Sequence, residues 1–328
     1  MLNSNRRFLP WTTQEYNMNK IKLDTYLSVV VNNSCNLTCS HCGGLACYDF
    51  TGNFDWKASA HRWEKWAEYL DTDHIAFAGG EMFLHPHLDE WFLNMRRLWP
   101  NAHIEVPTNG SKLIKRKDFA HLIMSDGNAH LRVSCHYDSE EEYQKLKKNV
   151  LEVLAPWADT MQVVEEEYVP NKQNRSTAYY VDGKRILRYE HFVHFFQPYH
   201  HHVKDGTVHF HMGGDQDKSF ELCVWHSEYN IQHGIMYHCP AVTNYPEAKH
   251  QVKYVPEAQA ILEKYQACDP LDGYERVRKF VEEDLKKSIE VCKLCAFDKQ
   301  VDTQLPNIKF TLDPNFKKKF RNIPIKAI

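Results

Sequence analysis

The chain has 328 residues, 43% hydrophobic and 25% charged, the composition of a folded globular protein, which excludes wholesale disorder. A formal net charge of −3, from 40 basic and 43 acidic side chains, offers no field for nucleic acid, and no apolar run approaches the ~18 residues that cross a membrane. The N-terminal stretch has no apolar signal region, so the expectation is a cytoplasmic protein whose ten cysteines are metal ligands or redox groups rather than a disulfide framework.

Taken in chain order, Tyr26 to Val31 is a short β-branched run, and Asp55 to Leu70 predicts an amphipathic helix rich in Trp. His74 to Ala78 predicts a strand, Leu88 to Trp99 a helix, Ala102 to Val106 a strand, and Ser111 to Met124 a helix. Leu131 to Cys135 is strand-like, Asp138-Ser139 caps a helix that runs to Leu154, and Met161 to Val164 predicts another strand. Alternating strands and helices at this spacing build βαβ units around a parallel sheet, open or closed into a barrel. A further strand is expected around His194 to Tyr199. Beyond Gly213-Gly214 the pattern changes: Ser219 to Trp225 and Ile235 to His238 predict a hairpin around His233-Gly234, followed by helices over Pro256 to Ala267 and Gly273 to Glu290. The final residues form a basic, irregular tail.

The cysteines fall into two groups. Cys35-Asn-Leu-Thr-Cys39-Ser-His41-Cys42 directly follows the first strand. Three thiolates at this spacing fold around one face of an iron–sulfur cube, and because a cluster normally takes four cysteines, one iron keeps an open position for a ligand. Zinc is the competing reading, with Cys47 or His41 as a fourth ligand. The second group is Cys223, Cys239 (preceded by Gly234-x₄), Cys292 and Cys295; a hairpin and a returning helix bring four thiolates to one closed site, again an iron–sulfur cluster or tetrahedral zinc.

The first group resembles the CxxxCxxC signature of the radical SAM superfamily, with His41 at the position before the third cysteine. Later stretches follow in that family's order. Ala78-Gly79-Gly80-Glu81 resembles the motif that binds the methionyl amine of S-adenosylmethionine (SAM), the carboxylate suiting an ammonium. Thr108-Asn109-Gly110 resembles the motif ending the third strand, and Leu131 to Asp138 the fourth-strand segment whose Ser134 reaches the ribose; His136 stands where many members carry Asp. The resemblance covers about residues 25–200. It implies an α/β fold, a partial (β/α)₆ TIM-like barrel holding a [4Fe–4S] cluster on Cys35, Cys39 and Cys42, with SAM contacts from His41, Gly79, Gly80, Glu81, Asn109, Ser134 and His136. It also implies reductive cleavage of SAM to a 5′-deoxyadenosyl radical that abstracts hydrogen from the substrate, with electrons from a flavodoxin or ferredoxin. Residues 213–300 resemble the twitch domain, the short form of the SPASM extension, which implies one auxiliary [4Fe–4S] cluster on Cys223, Cys239, Cys292 and Cys295 that moves electrons.

The expected organisation is therefore an extension over 1–24, the barrel over 25–212, the twitch-type hairpin and helices over 213–300, and a tail over 301–328. The expected activity is oxidation or epimerisation of a small polar molecule of carbohydrate or aminocyclitol type. Two alternatives stand beside it: radical SAM modification of a ribosomally made peptide, for which the extension before the first strand is short, and a non-catalytic zinc-binding interaction protein. Cys47 and Cys268 are the candidate hydrogen donors. Seven histidines over 189–211 match no ligand spacing and are expected on a surface or pocket. Glu165 to Glu167 are expected in a solvated turn, with a cavity-facing carboxylate that binds a polar substrate as the alternative. Cys135, alternating with Ser134, is expected to face the helices.

Overall fold

The computed structural model describes residues 20–37, 52–137, 139–167, 175–191, 201–204, 207–210, 214–223, 228–248 and 253–295. Its first half repeats strand and helix as expected: β1 (Leu27–Asn32), α1 (Trp56–Tyr69), β2 (His74–Gly79), α2 (Leu88–Leu98), β3 (His103–Thr108), α3 (Lys117–Met124), β4 (Ala129–Cys135) and α4 (Glu140–Leu154). The helix starts follow local chemistry. Asp55 caps α1 by accepting from the Lys57 N–H, and Ser139 caps α4 from Glu142, whose first turn carries Glu140, Glu141 and Glu142 against the positive end of the helix dipole.

Then the chain departs from the predicted rhythm. β5 (Gln162–Glu167), β6 (Arg175–Val181) and β7 (Lys184–His191) form an antiparallel meander, and it is β7, not the strand predicted at Met161 to Val164, that lies parallel beside β4. After β8 (His201–Lys204) and β9 (Thr207–Phe210), which pair antiparallel and are joined by Lys253–Tyr254 alongside β9, the start of the predicted strand Ser219 to Trp225 lies in a short helix, α5 (Gln216–Glu221), capped by Asp215. The hairpin instead pairs β10 (Tyr229–Gln232) with β11 (Ile235–Tyr237) around His233-Gly234. The strand expected around His194 to Tyr199 lies outside the described residues.

The main sheet has nine strands in the order β11-β10-β1-β2-β3-β4-β7-β6-β5. Six neighbours, from β10 through β7, are mutually parallel. The steps β1 to β2 to β3 to β4 each advance one strand in the same direction, so right-handed crossovers place α1 to α3 on one face. This is how a (β/α) barrel is wound, in contrast to an open sheet with helices on both sides. The fold is α/β, with a parallel-dominated sheet of partial-barrel type. β10 comes from beyond residue 213 yet pairs with β1, so the sheet crosses the expected 212/213 boundary.

Register separates the two faces. Leu27, Val29, Ile75, Phe77, Ile104, Val106, Leu131, Val133, Leu187 and Tyr189 belong to one buried core with Trp63, Trp66, Trp91, Phe119 and Val150 of the helices. Cys135 lies in that core, on the helix side as expected. The opposite face is largely polar: Ser28, His74, His103, Glu105, His130, Arg132, Ser134, Arg188 and Glu190 share it with Val30, Ala76, Ala78, Pro107 and Ile186. A parallel sheet packed on both sides is normally apolar on both, so this face lines a polar interior.

A second, smaller core gathers Tyr237, Val242, Tyr245, Tyr254, Ala258, Leu262, Val291, Leu294 and Cys295, with Cys223 and Cys239 packed against it. It joins α6 (Pro240–Ala248), α7 (Pro256–Glu263) and the turn Glu290–Leu294. The predicted helix Gly273 to Glu290 is regular only over α8 (Tyr274–Glu282).

Candidate active site

The predicted motifs meet at the C-terminal ends of β1, β2 and β3. The Gly80 N–H donates to the Asn32 carbonyl (3.0 Å) and the Glu81 N–H to the Ser34 carbonyl (2.8 Å), while Asn32 Nδ2 donates back to the Glu81 carbonyl (2.9 Å). One step further along the cysteine loop, Asn36 accepts from Asn109 Nδ2 (3.0 Å) and donates to Ser111 Oγ (2.9 Å). The Cys35 loop, Gly79-Gly80-Glu81 and Thr108-Asn109-Gly110 are therefore one hydrogen-bonded unit. Cys35 is half-buried, and its sulfur accepts from the Leu37 N–H at 3.4 Å. Cys39, His41, Cys42 and Cys47 lie outside the described residues.

The glycines have a tight neighbour. A Cβ on Gly79 would stand 2.0 Å from the Asn32 carbonyl oxygen, and one on Gly80 2.1 Å from that of Ser34. What approaches these glycines is the backbone that launches the cysteine loop, so their smallness seats that loop.

Glu81 is 2% exposed, and its carboxylate accepts from the Phe83 N–H (3.0 Å), the Asn109 N–H (2.6 Å) and the Thr108 hydroxyl. Burial raises its pKa, and the Thr108, Asn109 and Phe83 donors pull it back down. In this structure Glu81 clamps the ends of β2 and β3 through these three donors. Glu81→Gln should accordingly lower the denaturation midpoint, by about 1–3 kcal/mol, since the new NH₂ must face an N–H or O–H donor. Wild-type stability in urea unfolding would show that the clamp does not matter.

Ser134 is buried and donates to Glu190 Oε1 at 2.6 Å. His136 lies just past the end of β4 and is partly buried. Cys268 is 0% exposed in the main core, bridged to Met236 through both backbone groups, and burial pushes its thiol up to about 12. That is a packing position.

The polar face carries residues that no motif announces. Arg132 Nη1 stands 2.8 Å from Glu105, and Arg132 Nε stands 3.6 Å from Glu190. Arg188 Nε lies 3.7 Å from Glu190 and 3.5 Å from Glu166, which also pairs with Arg185 at 2.8 Å. Glu166 is thus the member of the acidic run that turns inward; Glu165 is exposed. At the N-terminal ends of the strands, His103 Nε2 and His130 Nδ1 are 2.7 Å apart and His130 Nε2 is 3.2 Å from Glu105. Burial lowers the pKa values of His74 and His103. Burial alone would raise the Glu105 carboxyl, but the Arg132 charge and His130 overcome it and hold it at about 2. A depressed carboxylate stabilises the fold above its ordinary value of 4.5, and that stability is lost as pH falls from 4.5 towards 2. Glu105→Gln should flatten the pH dependence of the urea midpoint in this window by up to about 3 kcal/mol; an unchanged acid limb would place the sensitivity elsewhere. Alternation alone marks these side chains as facing away from the helices, and a sequence reading that weighed charge on buried strands would have found them.

Of the second cysteine group, Cys223, Cys239 and Cys292 are half-buried and Cys295 is buried. Burial pushes the Cys295 thiol up, and Cys239, Cys223 and Cys292 add to this as neighbouring charges. Cys295 belongs to the second core, and Cys223 and Cys239 pack against it. Among the described residues, no three His, Cys, Asp or Glu side chains stand at metal-holding geometry. No described helix is long and apolar enough to cross a membrane.

No family model matches the chain, and no curated protein is similar to it. Among solved structures it is similar to BtrN in complex with AdoMet and 2-DOIA, at 22% identity over 40% of this chain and 52% of that one, TM-score 0.32. It is also similar to anSMEcpe with bound AdoMet and Cp18Cys peptide, at 18% identity over 41% of each chain, TM-score 0.32. A third is Streptococcus suis SuiB bound to precursor peptide SuiA, at 17% identity over 39% of this chain and 30% of that one, TM-score 0.31. These structural neighbours are radical SAM enzymes. The chain spans about half their length or less, and at such scores the likeness carries no argument about activity.

Proposed function

We propose that this protein is a radical SAM enzyme acting on a small polar molecule. The observation that supports it is the hydrogen-bonded unit at the strand ends, which joins the start of the three-cysteine loop to Gly79-Gly80-Glu81 and Thr108-Asn109-Gly110. Barrel active sites lie at this end. When bound, the [4Fe–4S] cluster and SAM would supply the radical that removes a hydrogen atom. The chain's own part is placement and enclosure: Gly79 and Gly80 seat the cysteine loop, Glu81 holds the ends of β2 and β3 together, and Ser134, tied to Glu190, is the residue we assign to the ribose. The charged, paired face of Glu105, Arg132, Arg188 and Glu190 suits oxidation or epimerisation of a polyhydroxylated substrate. Cys223, Cys239, Cys292 and Cys295 would hold an auxiliary cluster that exchanges electrons with the substrate, and a flavodoxin or ferredoxin would reduce the first cluster. Anaerobic iron and sulfide analysis tests this, together with 5′-deoxyadenosine release from SAM under reductant. About eight iron and eight sulfide per chain is the expected result for two cubane clusters, and zinc without sulfide would overturn it.

A further inference from the structure

Gln232 ends β10, and the amide it carries is an anomaly. The residue is 0% exposed, yet among the described residues neither Nε2 nor Oε1 has a hydrogen-bond partner. Leaving a buried donor and a buried acceptor unmet costs free energy twice, and native proteins seldom do so without cause.

The position is rigidly determined. Gln232 pairs with Val30 of β1, and Val30 pairs with Ala78 of β2. Opposed residues share a face, so Gln232 lies on the polar face with Glu105 and Arg132, level with the residue before Gly79-Gly80-Glu81. The turn beyond it has positive φ at both central residues, His233 (+53°) and Gly234 (+75°), as a type I′ hairpin demands. Trp66 Nε1 donates to the Gly234 carbonyl at 2.8 Å, and a Cβ on Gly234 would stand 2.5 Å from Arg62 Cβ. With the turn pinned on α1, the strand cannot slide to relieve the amide. A second unmet donor follows the end of β1, the strand on which Gln232 is paired: Asn33 Nδ2, on a buried residue.

We propose that Gln232 is a ligand-binding residue whose amide reads a neutral, hydroxyl-bearing group of a molecule bound inside the barrel. The donor and acceptor must both be answered. A carboxylate or phosphate would answer Nε2 and repel Oε1, and an ammonium would do the reverse, whereas a hydroxyl donates and accepts. The hairpin beyond residue 213 thereby completes a site otherwise built by β1 to β7. This holds whatever chemistry the site performs, so its failure is distinguishable from that of the radical SAM reading. The hydroxyl could belong to the ribose of SAM or to a separate polyol.

The test uses Gln232→Met, nearly equal in volume and without polar atoms, on the full chain. Because the wild-type amide is unmet, the variant's urea midpoint should equal or exceed wild type. A midpoint below wild type would mean that the protein itself satisfies the amide, and would overturn the proposal. On anaerobically reconstituted protein, SAM affinity and myo-inositol affinity (the latter with S-adenosylhomocysteine present) are then measured for both forms. About ten-fold weaker SAM binding by the variant assigns the amide to the cofactor's ribose, and the same loss for myo-inositol assigns it to the substrate side. Affinities unchanged for both probes would overturn the proposal.

Discussion

Cys39→Ala is expected to yield a folded protein that releases no 5′-deoxyadenosine from SAM and holds about half the wild-type iron. The reasoning rests on what the substitution leaves in place. The loop carrying the three cysteines is launched from Asn32 to Ser34, and its base is held by the Gly80 and Glu81 N–H groups and by Asn32 Nδ2, not by a thiol. Asn36 ties the next stretch to Asn109 and Ser111. Removing one thiolate therefore leaves the anchoring bonds intact, and the variant is expected to fold. A cluster on the loop would suffer differently: three cysteines already fall one short of the usual four, and two would give it no stable seat. Any iron held by the second group, around Cys295, would stay. Deoxyadenosine formation at the wild-type rate would end the radical SAM reading.

Gly79→Ala should be as damaging, through the fold. Gly79 has φ +128°, a conformation L side chains rarely adopt, and its Cβ would stand 2.0 Å from the Asn32 carbonyl oxygen and 3.0 Å from Asn32 Oδ1. That carbonyl accepts the Gly80 N–H, and Asn32 pairs with Gly79 across the two strands. Relieving the clash means separating β1 from β2 where the cysteine loop starts. A cost of about 3 kcal/mol or more is expected, with SAM cleavage lost alongside. Gly183→Ala is the control: its φ is +73°, but nothing lies within 4 Å of the added methyl, so strain alone should cost about 1 kcal/mol. Equal losses in the two variants would show that the contact with Asn32 is unimportant.

Much of this was legible in the sequence because it is local. Cap residues such as Asp55 and Ser139, the 3.6-residue periodicity of α1, α2 and α4, and β-branched runs such as Leu27 to Val31 act over a few residues. So the four early strands and their helices were predicted nearly in place. The candidate site was legible because Cys35, Gly79-Gly80-Glu81 and Asn109 each end one of those strands. Other features were decided only in three dimensions. Whether a strand runs parallel or antiparallel, and beside which neighbour, depends on hydrogen bonds between segments far apart in sequence; thus β7 displaced the strand predicted at Met161, and β10 joined β1 across some 200 residues. The same holds for side-chain roles. A carboxylate suits an ammonium or a ring of backbone donors equally well, and only the approach of Thr108 and Asn109 made Glu81 a clamp. Glu105, Arg132, Glu190 and Gln232 belong to no motif, because what unites them is sheet register, which brings four strands from distant parts of the chain into one sheet and turns one face of each inward.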